Sequence, residues 1–148
     1  MKIYLDVCCL NRPFDDQKQE KIRLEAEAVA LVIRRFRRRG WVWLSSPAVR
    51  YEIERTPDFQ RRALLIAMVA EASEEVPLSS EVVVHARKLK EEGFHRLDAL
   101  HLSFGILGKA DVFLSTDERL IKKARKSLLQ LPFPVVNPVS WFCEVKKR

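Results

Sequence analysis

The sequence predicts an α/β protein, a three-layer α/β/α sandwich around a central, mostly parallel sheet. Short runs of branched and aromatic residues, typical of buried strands, alternate with amphipathic segments of helical period. Strands that alternate with helices imply a parallel sheet covered by helices on both faces. The 148 residues, 47% of them hydrophobic and 32% charged, are enough for a domain with a substantial core. We therefore expect a single domain over residues 1–148.

The first half of the chain is predicted to contain two strands, each followed by helices. Its elements are a buried strand over residues 2–8, a long helix over 17–39, a strand over 41–46, a short helix opened by Ser46-Pro47 and a second helix that runs to about Ala72. Pro13 and Asp15-Asp16 predict the first turn, and Thr56-Pro57 breaks the short helix. Gly40 suits the end of the long helix, and proline suits the first turn of the short one.

The second half repeats this alternation. Its predicted elements are a very short strand near Val76, a helix capped by Ser79 or Ser80 and ended at Gly93, an apolar helix within residues 95–110, a strand over 111–117, a helix from Glu118 to about Leu129, a short strand within 133–142 and a helical or frayed basic tail over 143–148. Serine is a favoured N-cap and glycine a favoured residue beyond a helix C-terminus. We find no repeat, linker or low-complexity segment.

The net charge of +7 and a pI near 9.6 favour a polyanionic partner, most often nucleic acid. The alternative is a basic surface that serves solubility. The arginine-rich residues 33–40 fit first as cations at a helix C-terminus and second as an RNA contact. No apolar run could span a bilayer and no signal peptide opens the chain, so we expect a cytoplasmic protein without a membrane partner. The adjacent Cys8 and Cys9 and an odd cysteine count agree with a reducing compartment.

Zinc binding is disfavoured by the spacing of the cysteines and histidines, since neither Cys-x-x-Cys nor His-x-x-x-His occurs. Cys8 and Cys9 fit better as small buried residues. His101 falls one turn after Asp98 and could bond to it, although a packed helical histidine is the simpler interpretation. The four glycines are scattered, so no phosphate-binding loop is predicted.

Several acidic residues are predicted to converge at one edge of the sheet. Asp6 lies toward the end of the first strand, Asp117 follows the strand over 111–117, and Glu52 or Glu54 lies in the helix after the second strand. Asp98 has apolar neighbours on its helix and is expected to point inward. Carboxylates that crowd together repel one another, and Mg²⁺ or Mn²⁺ relieves that repulsion through oxygen ligands. Metal ions so held can activate water against a phosphodiester.

Each acid also has a structural alternative. Asp117 is well placed to cap the helix that follows it, and Asp6 could cap a helix or pair with an arginine. Only the joint placement of Asp6, Glu52, Asp98 and Asp117 favours a metal site over these roles.

At these residues the chain resembles the PIN-domain family, the fold of VapC-type toxins and other ribonucleases. The matching segments are "IYLDVCCLNRPF" (3–14), "LSSPAVRYEIER" (44–55), "HRLDALHLSFGILGKADVFLSTDERLIKKA" (95–124) and "VVNPVSWF" (135–142). The segment over 95–124 is the most specific. Glu52 rather than Glu54 matches the family position, with Tyr51 before it.

The resemblance implies a Mg²⁺- or Mn²⁺-dependent endoribonuclease, the toxin of a pair with a small antitoxin protein. It assigns metal binding and catalysis to four acids, and the orientation of ligands or water to three polar neighbours: Asp6, Glu52, Asp98 and Asp117, then Asn11, Ser115 and Thr116. Cys8 and Cys9 stand where a small hydroxyl residue often follows the first acid, so a hydrogen bond there is either absent or supplied by sulfur.

A homodimer is expected as well, from family habit and from an excess of large apolar residues for one small domain: Trp41, Trp43, Trp141 and Phe142. Two alternatives to the ribonuclease remain: a non-catalytic RNA- or partner-binding domain of the same fold, and a phosphoacceptor receiver-like domain.

Overall fold

A computed structural model describes residues 1–38 and 40–146. The predicted helix end at Arg39 and the last two residues of the basic tail lie outside this range. Within it, no helix is both long enough and apolar enough to cross a membrane.

Strands and helices alternate along the described chain. The strands are β1 (Lys2–Leu5), β2 (Val42–Ser45), β3 (Glu74–Glu75), β4 (Val112–Leu114) and β5 (Val135–Val136). The helices are α1 (Val7–Asn11), α2 (Glu20–Arg37), α3 (Pro47–Glu54), α4 (Phe59–Val69), α5 (Ser80–Glu91), α6 (Arg96–Leu107), α7 (Glu118–Arg125) and α8 (Pro138–Lys146), with a 3₁₀ turn (Arg12–Phe14) between α1 and α2.

The five strands form one all-parallel sheet in the order β3-β2-β1-β4-β5. The chain builds outward from β1 through β2 to β3, then crosses to β4 on the other side of β1. The strand order therefore reverses between β1 and β4, the place where parallel sheets of this kind bind ligands. A receiver-type sheet has the order 2-1-3-4-5, so the topology excludes the receiver-like alternative.

The central strands are covered on both faces. Consecutive residues of a strand point to opposite faces, yet Ile3, Tyr4 and Leu5 are each at most 1% exposed. The residues of β4 are equally buried. Helices on both sides of the sheet account for this burial, and the predicted fold class is confirmed.

The predicted first strand over residues 2–8 is too long. Strand β1 ends at Leu5, and Val7–Asn11 form the short helix α1. Asp6 is the N-cap, because it has extended backbone angles and its side chain accepts a hydrogen bond from the Val7 N–H at 2.9 Å. A short apolar run has no clear period, so it does not distinguish a strand from a buried helix.

Other predicted elements are present with shorter bounds. Helix α2 begins at Glu20 rather than at residue 17, and α7 ends at Arg125 rather than near Leu129. Ser46 caps α3 and Ser79 caps α5, each accepting a backbone N–H three residues later. The C-terminal helix begins at Pro138, ahead of the predicted tail.

The tryptophans pack within the chain. Trp43 is 1% exposed and stacks on Phe36 with ring centroids 5.2 Å apart, and Trp41 contacts Trp141 at the same separation. They therefore no longer provide a reason to expect a second copy. The homodimer stays a prediction that rests on family habit and on other exposed apolar residues.

Candidate active site at the carboxyl edge of the sheet

Polar residues follow the carboxyl ends of the three central strands. Asp6 follows β1, Ser46 follows β2, and Ser115, Thr116 and Asp117 follow β4. Strands β1 and β4 are paired with Leu5 opposite Leu114, and the Asp6 N–H donates to the Leu114 carbonyl at 3.0 Å. Because the sheet is parallel, all these residues meet at one edge, at the point where the strand order reverses.

Asp6 is buried, with 6% of its surface exposed. One carboxylate oxygen accepts the Val7 N–H, and the other accepts the hydroxyl of Ser115 at 2.8 Å. Burial raises the pKa of Asp6, while the nearby His101 and the Ser115 hydrogen bond oppose that rise. The Asp6 carboxylate therefore caps α1 and accepts a hydrogen bond from Ser115.

Asp98 lies in the first turn of α6 and is half-buried. Burial, the largest cause, and the charges of Asp6 and Asp117 together raise its pKa to about 6, while His101 and His95 partly oppose the rise. Within the described part of the chain, no hydrogen bond or ion pair to its carboxylate is present. The charges of Asp6 and Asp117 therefore act on Asp98. In the described part of the chain, Asp98 itself has no hydrogen-bond or ion-pair partner.

Asp117 caps helix α7, as its structural alternative predicts. Its Oδ1 accepts the N–H groups of Arg119 at 3.0 Å and Leu120 at 3.3 Å. Its own N–H donates to the Ser115 hydroxyl, which also binds Asp6. Capping and a role in the acidic site are therefore compatible, since the Asp117 charge still acts on Asp98.

Glu52 reaches the same region from α3. Its side chain is 31% exposed and its Oε1 lies 3.1 Å from His101 Nε2, whereas Glu54 is exposed. This arrangement favours Glu52 as the fourth acid. The charge of Glu52 also acts on Asp6 and opposes its ionisation.

His101 does not bond to Asp98. It is 1% exposed and lies between Glu52 and the hydroxyl of Tyr4, which is 2.7 Å from Nδ1. Burial alone would lower the pKa of His101, but the hydrogen bond to Glu52 and the surrounding carboxylates raise it. Burial raises the pKa of Tyr4 well above its usual range, so Tyr4 keeps its hydroxyl proton. The sequence did not predict these hydrogen bonds of His101. The one signal for them was the three-residue spacing of Asp98 and His101 on α6.

The predicted polar neighbours have different surroundings. Ser115 binds Asp6 directly, and Cys8 Sγ lies 3.4 Å from the Ser115 hydroxyl and accepts the Thr116 N–H at 3.3 Å. Sulfur therefore does take part in the hydrogen bonding around the first acid. Asn11 donates to the Val7 carbonyl, and its amide oxygen lies 3.4 Å from an Arg61 nitrogen.

Thr116 Oγ1 is the buried side-chain oxygen that lacks a partner among the described residues. A buried hydroxyl without a hydrogen bond is unfavourable unless water or a ligand satisfies it. In the acidic site, the unpartnered Asp98 carboxylate offers oxygen ligands of the type that Mg²⁺ and Mn²⁺ prefer.

The site suits a divalent metal ion by the type of its ligands, which are carboxylate oxygens, and not by a complete set of protein ligands around one point. Across residues 1–38 and 40–146, no three His, Cys, Asp or Glu side chains are placed close enough to form a metal-binding group. Mg²⁺ commonly binds through one or two carboxylates and keeps several waters, which such spacing allows. Asp6, Asp98, Asp117 and Glu52 are the predicted acids from which one or two such ligands would come.

A groove of about 1030 Å³ opens beside Glu52. Its lining includes apolar residues of α6 and Arg55, Arg61 and Arg96. Arg61 pairs with Asp15 at 2.9 Å, whereas Arg55 and Arg96 take part in no ion pair within the described part of the chain. The groove therefore offers cations and apolar surface next to an acidic site.

Comparison with known proteins supports the fold. No protein-family model matches the chain, and no curated protein matches it in sequence. The crystal structure of FitAcB from Neisseria gonorrhoeae contains a chain that aligns with a TM-score of 0.58 at 12% identity, over 92% of this chain and 97% of that one. The crystal structure of VapBC2 from Rickettsia felis bound to a DNA fragment from their promoter contains another, with a TM-score of 0.57 at 15% identity, over 93% and 98%. At these identities the likeness establishes a PIN-like fold and nothing finer.

Proposed function

We propose that this protein is a Mg²⁺- or Mn²⁺-dependent endoribonuclease, the toxin of a pair with a small antitoxin protein. The observation that carries the proposal is the half-buried Asp98, whose pKa is raised to about 6 by burial and by Asp6 and Asp117. A site in which one carboxylate lacks a protein partner and lies near other acids favours a bound divalent ion. The sequence resemblance to VapC-type toxins and the fold shared with a VapBC2 chain support the same function.

The roles of the chain's own residues follow from their surroundings. Asp98, Asp117, Asp6 and Glu52 would hold the ions. When bound, such ions lower the pKa of water and stabilise the leaving oxygen of a phosphodiester. Ser115 keeps Asp6 in place through its hydroxyl. Thr116 would orient a ligand or water, as the resemblance implies. Any of the acids could accept a proton through water, so no single general base is assigned.

The proposed partners fit the groove beside Glu52. RNA phosphates would approach Arg55 and Arg96, in keeping with a net charge of +7. An antitoxin segment with acidic and apolar side chains would match the same arginines and the apolar lining, and would block RNA. The proposed location is the cytoplasm.

Cleavage assays test the proposed function. The purified protein is expected to cut RNA with Mg²⁺ or Mn²⁺ and to stop when EDTA is added. Asp6→Asn and Asp98→Asn should each abolish cutting, because each removes a metal-binding charge with little change in shape. Glu52→Gln should lower activity, and Glu54→Gln, two residues away on the same helix, is the matched control that should keep it.

The contrary results are equally specific. Undiminished cutting by Asp6→Asn or Asp98→Asn would refute the site. RNA binding that persists in EDTA, with no cleavage under any metal condition, would instead identify a non-catalytic RNA-binding domain.

A further inference from the structure

We infer that His101 is a positioning residue, which holds the Glu52 carboxylate at the candidate metal site through its Nε2–H group. The inference rests on the proposed metal-dependent function and adds a residue to it. His101 touches neither substrate nor reacting atoms, and it acts through Glu52.

Four side chains form a continuous hydrogen-bonded row from the core to the site. Ser46 Oγ lies 2.6 Å from the Tyr4 hydroxyl, that hydroxyl lies 2.7 Å from His101 Nδ1, and His101 Nε2 lies 3.1 Å from Glu52 Oε1. Three of the four residues are at most 1% exposed, and Glu52, at the end of the row, lines the groove. The row therefore connects the rigid sheet to a partly exposed carboxylate.

The direction of these bonds follows from what each group can donate. An ionised carboxylate only accepts, so Nε2 must carry the hydrogen in either protonation state of the ring. Ser46 Oγ also accepts the Val49 N–H. With a neutral ring, Tyr4 donates to Nδ1 and accepts from Ser46; with a protonated ring, Nδ1–H donates to Tyr4, and Tyr4 donates to Ser46. Every group in the row is satisfied in both cases.

Packing fixes the imidazole in this orientation. The ring of Tyr4 stacks on Phe113 with centroids 5.0 Å apart and meets the His101 ring edge-on at 5.8 Å. Helix α6 carries Asp98 and His101 three residues apart, so both point inward from the same turn. One helix thus supplies one acid and the residue that orients another. A histidine with only a packing role in the core would not need a hydrogen bond to a carboxylate on a different helix, as His101 has to Glu52.

Two substitutions of similar size separate positioning from packing. The amide nitrogen of glutamine can stand in for Nε2 and that of asparagine for Nδ1, so His101→Gln keeps a donor toward Glu52 and His101→Asn does not. We expect His101→Asn to bind Mn²⁺ about 10–100-fold more weakly than wild type by calorimetry, the usual effect of losing an outer hydrogen bond to a metal ligand. His101→Gln should retain most of the affinity.

Coupling to Glu52 gives a second criterion. Glu52→Gln should weaken Mn²⁺ binding, and His101→Asn should add nothing to that loss in the double variant. Should either histidine variant fail to fold, nitrogen NMR of the wild-type imidazole replaces it. The His101 Nε2–H signal should shift when Mg²⁺ is added, and that shift should be absent in Glu52→Gln.

The outcomes that overturn the inference differ from the one that overturns the proposed function. Four results would each refute the positioning role alone. Two concern single variants: His101→Asn binds Mn²⁺ as tightly as wild type, or His101→Asn and His101→Gln lose the same Mn²⁺ affinity. The other two are additive losses of Mn²⁺ affinity in the double variant and an imidazole signal that bound Mg²⁺ leaves unchanged. Wild-type protein that binds neither ion refutes the metal-dependent function, and the positioning role with it.

Discussion

A half-buried carboxylate normally has a donor nearby, yet none contacts Asp98 in the described part of the chain. Its environment instead contains two further acids, whose charges disfavour ionisation. The ordinary pKa of 3.8 is raised to about 6, so the folded state holds this proton more tightly than the unfolded chain does. A raised carboxyl pKa contributes stability at low pH, and that contribution is lost as pH rises from about 4 to 6.

This sign gives a prediction for Asp98→Asn in EDTA. Above pH 7 the variant should unfold at the same temperature as wild type or up to about 2–4 °C higher, equivalent to about 1 kcal/mol once solvent screening of a partly exposed group is allowed for. Below pH 4 the difference should vanish. Adding Mn²⁺ should stabilise wild type more than the variant, because the ion binds only the folded site. Melting curves across this range test the prediction, and a clear loss of stability in the variant at pH 7 would show that Asp98 has a cationic partner.

At the level of the elements, one side chain at the start of helix α7 has two roles. Asp117 both caps this helix and contributes charge to the site. Asparagine is as good an N-cap as aspartate, whereas alanine is not. Asp117→Asn should therefore keep the wild-type melting temperature in EDTA and weaken Mn²⁺ binding. Asp117→Ala should weaken binding and also cost about 1 kcal/mol of stability. Equal destabilisation by both variants in denaturant titrations would contradict the separation of the two roles.

The helices and strands also show which features of the fold can be predicted from the sequence. Alternating apolar runs and helical periods predicted the parallel sheet. Ser46-Pro47 predicted the start of α3, and Ser79 or Ser80 was predicted to cap α5, where Ser79 is the cap. The prediction of a strand over residues 2–8 is wrong because the apolar residues Val7 to Leu10 suit a buried strand and a buried helix equally well. Only the N-cap at Asp6 distinguishes the helix from the strand. The polar row from Ser46 through Tyr4 to Glu52 could not be predicted, because it joins residues up to 97 positions apart that meet only once the sheet has formed.

For the whole molecule, apolar surface remains on helix α4. Phe59 is 73% exposed and Ile66 47%, and their seven-residue spacing places them on one face of the helix. Exposed apolar side chains that share a face mark interaction surfaces in soluble proteins. The tryptophans pack within the chain and no longer motivate a homodimer, so we expect the predicted second copy to pack on this face of α4. Two copies of one helix face can meet about a two-fold axis, since each presents the same residues to the other.

We accordingly predict a dimer that depends on α4. Sedimentation at micromolar concentration should give twice the chain mass for wild type, and Ile66→Glu should shift the protein to monomer, because a charge placed in an apolar interface loses its water without gaining a partner. Leu128→Glu is the matched control. Leu128 is 91% exposed and lies outside α4, so the same charge there should leave the dimer intact. A wild-type monomer at these concentrations would contradict the homodimer, and an Ile66→Glu dimer of unchanged affinity would place the interface elsewhere.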